Sequence, residues 1–142
     1  MTQQQQSNGG KWKYGIVKAI DPQKMLVRCE IPDMDKVLSP WLLIIVPNSL
    51  KNKDYYLPDL EEQIVILLDE NSESGVCLGA VYSTKDIPPI NNLDKRHVKF
   101  DDGTTVEYDR KTHKLQIKVQ GDILIEATGQ ITLKGSRIDL NP

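Results

Sequence analysis

Between Trp12 and Ser83 apolar residues recur at alternate positions in short runs, with no helical period of useful length among them. Five strands are predicted there. The first is Tyr14–Ile20 (YGIVKAI), closed by the turn Asp21-Pro22-Gln23-Lys24. The second, Met25–Ile31, puts Met25, Val27, Cys29 and Ile31 on one face and Arg28 and Glu30 on the other, and Pro32 with DMDK ends it. Trp41–Val46 (WLLIIV) is apolar throughout, the pattern of a strand covered on both faces. A short buried helix has the same pattern, but the bracketing Pro40 and Pro47 favour a strand. Gln63–Leu68 (QIVILL) and Gly75–Tyr82 (GVCLGAVY) follow, joined by the turn ENSES. Short strands at this density predict an all-β chain whose residues 12–84 form a five-stranded OB-fold barrel.

The segments around that barrel differ in kind. Residues 1–11, beginning MTQQQQSNGG, are low in complexity and read as a flexible tail. Residues 85–97 (KDIPPINNLDKR and the following histidine) carry two prolines and read as a stiff, extended connector. In 98–142, VKFDDGTTVEYD predicts a hairpin turning at Asp102-Gly103. An internal repeat comes next. Leu115-Gln-Ile117, Ile123-Leu-Ile125, Ile131-Thr-Leu133 and Ile138-Asp-Leu140 share an apolar-x-apolar unit at intervals of eight, eight and seven residues, with Gly121, Gly129 and Gly135 between them.

Each unit offers two inward side chains, too few to close a core. Ordering one residue costs roughly 1–2 kcal/mol of backbone entropy, and fully burying a Leu or Ile returns roughly 1.5–3 kcal/mol, so a lone ribbon does not hold. A single-chain β-helix needs several strands per turn, which this period does not supply. Three chains wound about one axis solve the problem: each contributes one strand per layer, and every edge is paired. Leu115, Ile117, Ile123, Ile125, Ile131, Leu133, Ile138 and Leu140 are the expected core of such a trimer, with Leu124, Thr132 and Asp139 facing outward. The alternative is an accidental repeat on a monomeric β-sandwich extension.

Composition adds mostly exclusions. A formal net charge of −2 over 142 residues argues against a dominant nucleic-acid footprint. No run approaches the ~18 apolar residues needed to span a bilayer, and the polar N-terminus lacks the pattern of a secretory signal, so synthesis in a cytoplasm is expected. Cys29 and Cys77 lie in apolar runs and read as reduced, buried side chains. Glu61 and Glu62 are adjacent and point apart, which suits a solvated surface better than an acid–base pair. Asp33 and Asp35 lack the rest of a calcium loop, and Asp101-Asp102 belongs to turn chemistry. His97 and His113 have no triad or zinc partners in sequence and read as exposed. No catalytic residue, cofactor or metal site is expected. The rival function is single-stranded nucleic-acid binding by the barrel, using Trp12, Tyr14 and Trp41 with Lys11, Lys13 and Lys18.

The order of several short motifs resembles the phage baseplate assembly protein V family, the central spikes of contractile tails. They are Tyr14-Gly15-Ile16-Val17, Trp41-Leu42, Leu57-Pro58 ahead of Glu62-Gln63-Ile64-Val65, Gly79-Ala80-Val81-Tyr82, and Asp102-Gly103-Thr104 with Tyr108-Asp109, followed by the repeat. The resemblance implies a homotrimer with an OB-fold collar and a triple-stranded β-helix needle. It also implies attachment to a baseplate hub protein and a virion location, with the needle driven into the host outer membrane when the sheath contracts. A tailocin or other contractile injection system would use the same design. Two positions depart from the family pattern. Glu61 stands where relatives carry glycine, and the C-terminal IDLNP lacks the His-x-His element that binds iron at some needle tips. The resemblance therefore implies a blunt tip at Asn141 and Pro142, in contact with a separate tip protein of the PAAR-repeat kind.

Overall fold

The structure, a computed structural model, describes residues 9–142, so most of the expected flexible tail lies outside the described residues. The chain divides into two compact units, one ending at Pro88 and the other running from Pro89 to Pro142.

The first unit holds strands β1 (Lys11–Asp21), β2 (Leu26–Ile31), β3 (Val37–Leu38), β4 (Leu42–Ile44), β5 (Gln63–Leu68) and β6 (Gly75–Ala80), with one 3-10 turn at Pro32–Met34. Pairing runs β1-β5-β6-β4-β2 and returns to β1, with β3 appended to β2. The β4–β6 pair is parallel and the others are antiparallel. This closes a five-stranded, OB-like barrel. Register shifts between Val17 and Ala19 and between Val65 and Ile66 give the strands the local bends that closure of a small barrel uses.

Strand alternation fills the interior. Val27, Cys29 and Ile31 from β2, Ile64, Ile66 and Leu68 from β5, with Val17, Leu42 and Cys77, form the buried core. Burying each Val, Leu or Ile contributes about 1.5–3 kcal/mol. Ser39 is the buried polar side chain among the described residues, and it is satisfied: its Oγ accepts from the Cys29 amide at 2.9 Å. Gly15 lets β1 approach β2 closely, since a Cβ there would lie 2.9 Å from the Cys29 Cβ and closer still to its Sγ.

Two strand expectations need correction. Met25 is not the first residue of β2 but takes a left-handed conformation (φ 52°) that finishes the preceding turn. Trp41–Val46 is not covered on both faces. Only Leu42–Ile44 pair as a strand, and Leu43 stays 60% exposed because a barrel strand has one inner face.

In the second unit β7 (Lys95–Lys99), β8 (Thr105–Asp109) and β9 (Lys114–Lys118) make an antiparallel meander. β7 starts inside the segment read as connector, because Lys95 to Lys99 find a full ladder of partners on β8. The predicted hairpin turns where expected: Gly103 N donates to Phe100 O at 3.0 Å, and Gly103 sits at φ 91°, where a side chain would be strained. Leu115 and Ile117 fall in β9. Beyond Lys118 no described residue joins a strand ladder. The backbone bends at Gln120-Gly121, Thr128-Gly129, Ser136 and Leu140. The single chain forms no β-helix by itself.

Candidate functional site

The repeat is the feature with no internal explanation. Ile123, Ile125, Ile131, Leu133, Ile138 and Leu140 are all more than half exposed, as are Leu115 and Ile117 of β9. Leu124, Thr132 and Asp139, expected to face outward, are exposed too, so accessibility in one chain does not separate the two sets. Asn141 adopts a left-handed φ of 48°, and Arg137 Nε pairs with Asp139 Oδ1 at 2.7 Å on the same segment. Bends lie at or beside the three glycines, and the apolar pairs recur at intervals of eight, eight and seven residues. A run of isolated apolar pairs without cover has the character of an interaction surface.

The barrel carries a second uncovered apolar feature. Cross-strand register sets Trp12 beside Leu67, Leu67 beside Val76, Val76 beside Leu43 and Leu43 beside Leu26. Residues in such a row share a face of the sheet, here the outer one. Trp12, Leu43 and Leu67 in this belt are exposed, and Tyr14 packs edge-on against Trp12 with ring centroids 5.3 Å apart.

The cations proposed for nucleic-acid binding are largely engaged elsewhere. Lys13 Nζ lies 3.6 Å from Asp33 Oδ2, and Lys18 Nζ lies 2.9 Å from Glu61 Oε1. Arg28 sits 5.8 Å over the Trp41 ring. Edge-on Trp12 and Tyr14 and a capped Trp41 do not form a row of free stacking faces.

Glu61 stands in a turn that favours glycine. It adopts φ 71°, the conformation a glycine would supply, and its amide donates to Val17 O at 2.8 Å. The turn is kept despite the side chain, and the carboxylate pairs with Lys18, raising the Lys18 pKa through that hydrogen bond. Glu62 is half-buried rather than fully solvated. Desolvation pushes its carboxyl up, while the Asp59 amide, donating at 3.1 Å, holds it down. Both glutamates line an open cleft of about 510 Å³ with Tyr56, Leu60 and Tyr82. Glu61 is tied to Lys18, and Asp59 and Asp86, which also line the cleft, add to the upward push on the Glu62 carboxyl.

His97 departs from its predicted exposure. Its register partner is Glu107; Nδ1 lies 2.9 Å from Glu107 Oε1, and the side chains keep only 12% and 16% of their accessible surface. This hydrogen bond, with Lys95 behind it, holds the Glu107 carboxyl below its usual range. His113 is exposed at φ 57° in the β8–β9 turn. Cys29 and Cys77 are free and buried, and burial pushes both thiols up.

No protein-family model matches the chain. Over 106 residues, 74% of its length, it is 24% identical to a protein named "Spike protein" from Escherichia phage P2. The chain is similar to a phage spike protein. It spans about half of that relative, 50% of its length.

Proposed function

We propose that this chain is the central spike of a contractile tail, of the baseplate assembly protein V kind. Three copies wind their repeats into a β-helix needle whose axis is lined by Leu115, Ile117, Ile123, Ile125, Ile131, Leu133, Ile138 and Leu140. The three barrels form a collar that joins the baseplate hub protein, with the outer belt around Trp12 and Leu43 available for protein contacts. On sheath contraction the needle carries force to the host outer membrane. A PAAR-like tip protein seats at Asn141 and Pro142. The role is mechanical: interlocked strands resist axial load because layers separate only when many backbone hydrogen bonds break together, and no step of chemistry is assigned to the chain.

The observation that carries this reading is the uncovered repeat, four apolar pairs for which the chain provides no cover. The likeness to the phage P2 spike protein supports it. Immunogold labelling of tail particles with antibody against this chain tests the role. Label confined to the distal end of the tail, at the baseplate, is the expected result, and label along the sheath or absent from particles would overturn it. Gene neighbourhood distinguishes an infectious phage from a tailocin or other injection system.

A further inference from the structure

The three-stranded sheet of the second unit is turned inside out for a free-standing element. Its register sorts the side chains into two sets. One face carries the rows Val98–Val106–Ile117 and Arg96–Tyr108–Leu115. The other carries Lys95–Asp109–Lys114, His97–Glu107–Gln116 and Lys99–Thr105–Lys118. A sheet of this kind ordinarily covers its apolar face and wets its polar one. Here Leu115 and Ile117 are 64% and 56% exposed, while the His97 and Glu107 side chains on the polar face keep 12% and 16%. Three strands need a packed apolar face for independent stability. The chain after β9 does not supply the cover, since its apolar residues are themselves exposed.

Leu115 and Ile117 belong both to this face and to the first unit of the repeat, so the face and the repeat form one continuous apolar surface. The repeat alone has a weakness as an assembly code. Its units at Ile123 and Ile131 are near-copies eight residues apart, so a chain displaced by one unit still meets apolar pairs with apolar pairs. The sheet face is different. It has a tyrosine, two valines and an arginine in an order found nowhere else in the repeat. It is also fastened to the segment that follows: Gln120 N donates to Thr104 Oγ1 at 3.1 Å, tying the hairpin turn to the first bend after β9.

We infer that the apolar face of β7–β8–β9 is a register clasp, covered by the same face of two further copies of this chain, which fixes the axial alignment of the three repeats. This rests on the trimer reading above. Packing like on like about a three-fold axis brings Val106, central on the middle strand, toward the axis, and extends the interface beyond the repeat to Val98, Val106 and Tyr108.

The test uses the full chain with single cysteines and a short thiol-specific bifunctional crosslinker. The unsubstituted protein is the blank, because Cys29 and Cys77 are buried. Val106→Cys, a small change in size, is expected to give crosslinked dimers on a denaturing gel, and Lys118→Cys on the opposite face is expected to give few. Alignment is read by co-expressing Ile123→Cys and Ile131→Cys chains of different tag length. Mixed crosslinks are expected to be rare with the face intact and to rise severalfold when Val98→Ser and Val106→Ser are added. If the unsubstituted protein is a trimer but Val106→Cys links no better than Lys118→Cys, the clasp is overturned and the trimer stands. The clasp also falls if mixed crosslinks are unchanged by the serine substitutions. If the unsubstituted protein is a monomer, the trimer reading fails first and the clasp with it.

Discussion

Gly15→Ala tests the closeness of β1 and β2 on which the barrel depends. Gly15 is buried and pairs with Ile64 on β5. A methyl at this position would stand 2.9 Å from the Cys29 Cβ, nearer to Cys29 Sγ, and 3.6 Å from Glu30 O. In open space, replacing glycine by alanine stabilises a protein by about 0.4–1 kcal/mol through the unfolded chain. Forcing extra volume into a packed core instead costs about 1–3 kcal/mol. The sign of the change therefore reports the geometry. For a domain of this size each kcal/mol is worth about 4–8 °C, so the melting temperature should fall by roughly 4–24 °C. Trp12 and Trp41 both lie in the barrel, so intrinsic fluorescence during urea or thermal unfolding reads this unit. Cys29→Ala removes the sulfur that the new methyl meets, and the double variant should lose less than the two single variants together, with a coupling of about 0.5–3 kcal/mol. A Gly15→Ala protein as stable as the parent, or losses that simply add, would refute the close approach.

Glu61→Gly should keep the turn and release the left-handed strain, worth about 1–2 kcal/mol per non-glycine residue, whereas Glu61→Ala keeps the strain and loses the Lys18 pair; urea midpoints should rank Gly above Ala. Asp69 is held below its usual value of 3.8, chiefly by the Glu73 amide at 2.8 Å. A lowered carboxylate stabilises the fold above its unfolded pKa and loses that contribution as pH falls through the folded one. The barrel should therefore weaken below about pH 3.8, and Asp69→Asn should flatten that part of the acid profile, read by tryptophan fluorescence. Ile131→Asp would set three carboxylates at one layer of the proposed needle, each costing several kcal/mol unless neutralised, and should abolish any heat-resistant assembly on a denaturing gel.

The barrel was legible because alternation is a local signal. Alternation in the second strand predicts one face of Met25, Val27, Cys29 and Ile31, and Val27, Cys29 and Ile31 are buried. WLLIIV misleads because local composition does not say whether a second layer covers the outer face, and in a barrel of this size none does. Met25 was hidden for another reason: its residue type does not announce a positive φ, which here is imposed by the turn around it, whereas at Glu61 the glycine of the resembled family was the only signal. The repeat and its glycine-linked bends were readable from spacing. The apolar face of β7–β9 was not, since Val98 and Val106 become neighbours of Ile117 only through the ladder. The His97–Glu107 pair was missed likewise, because ten residues separate them along the chain while register sets them opposite each other. An alternation match between VKF and TVEY marks the hairpin, but pairing partners follow only once its turn length is known.

Native mass of the purified full chain, by sedimentation or native mass spectrometry, bears most directly on the central claim. The account predicts a single species at three times the 16.1 kDa chain mass, unchanged on dilution. A well-behaved monomer would leave the apolar pairs from Leu115 to Leu140 open to water and would contradict the spike.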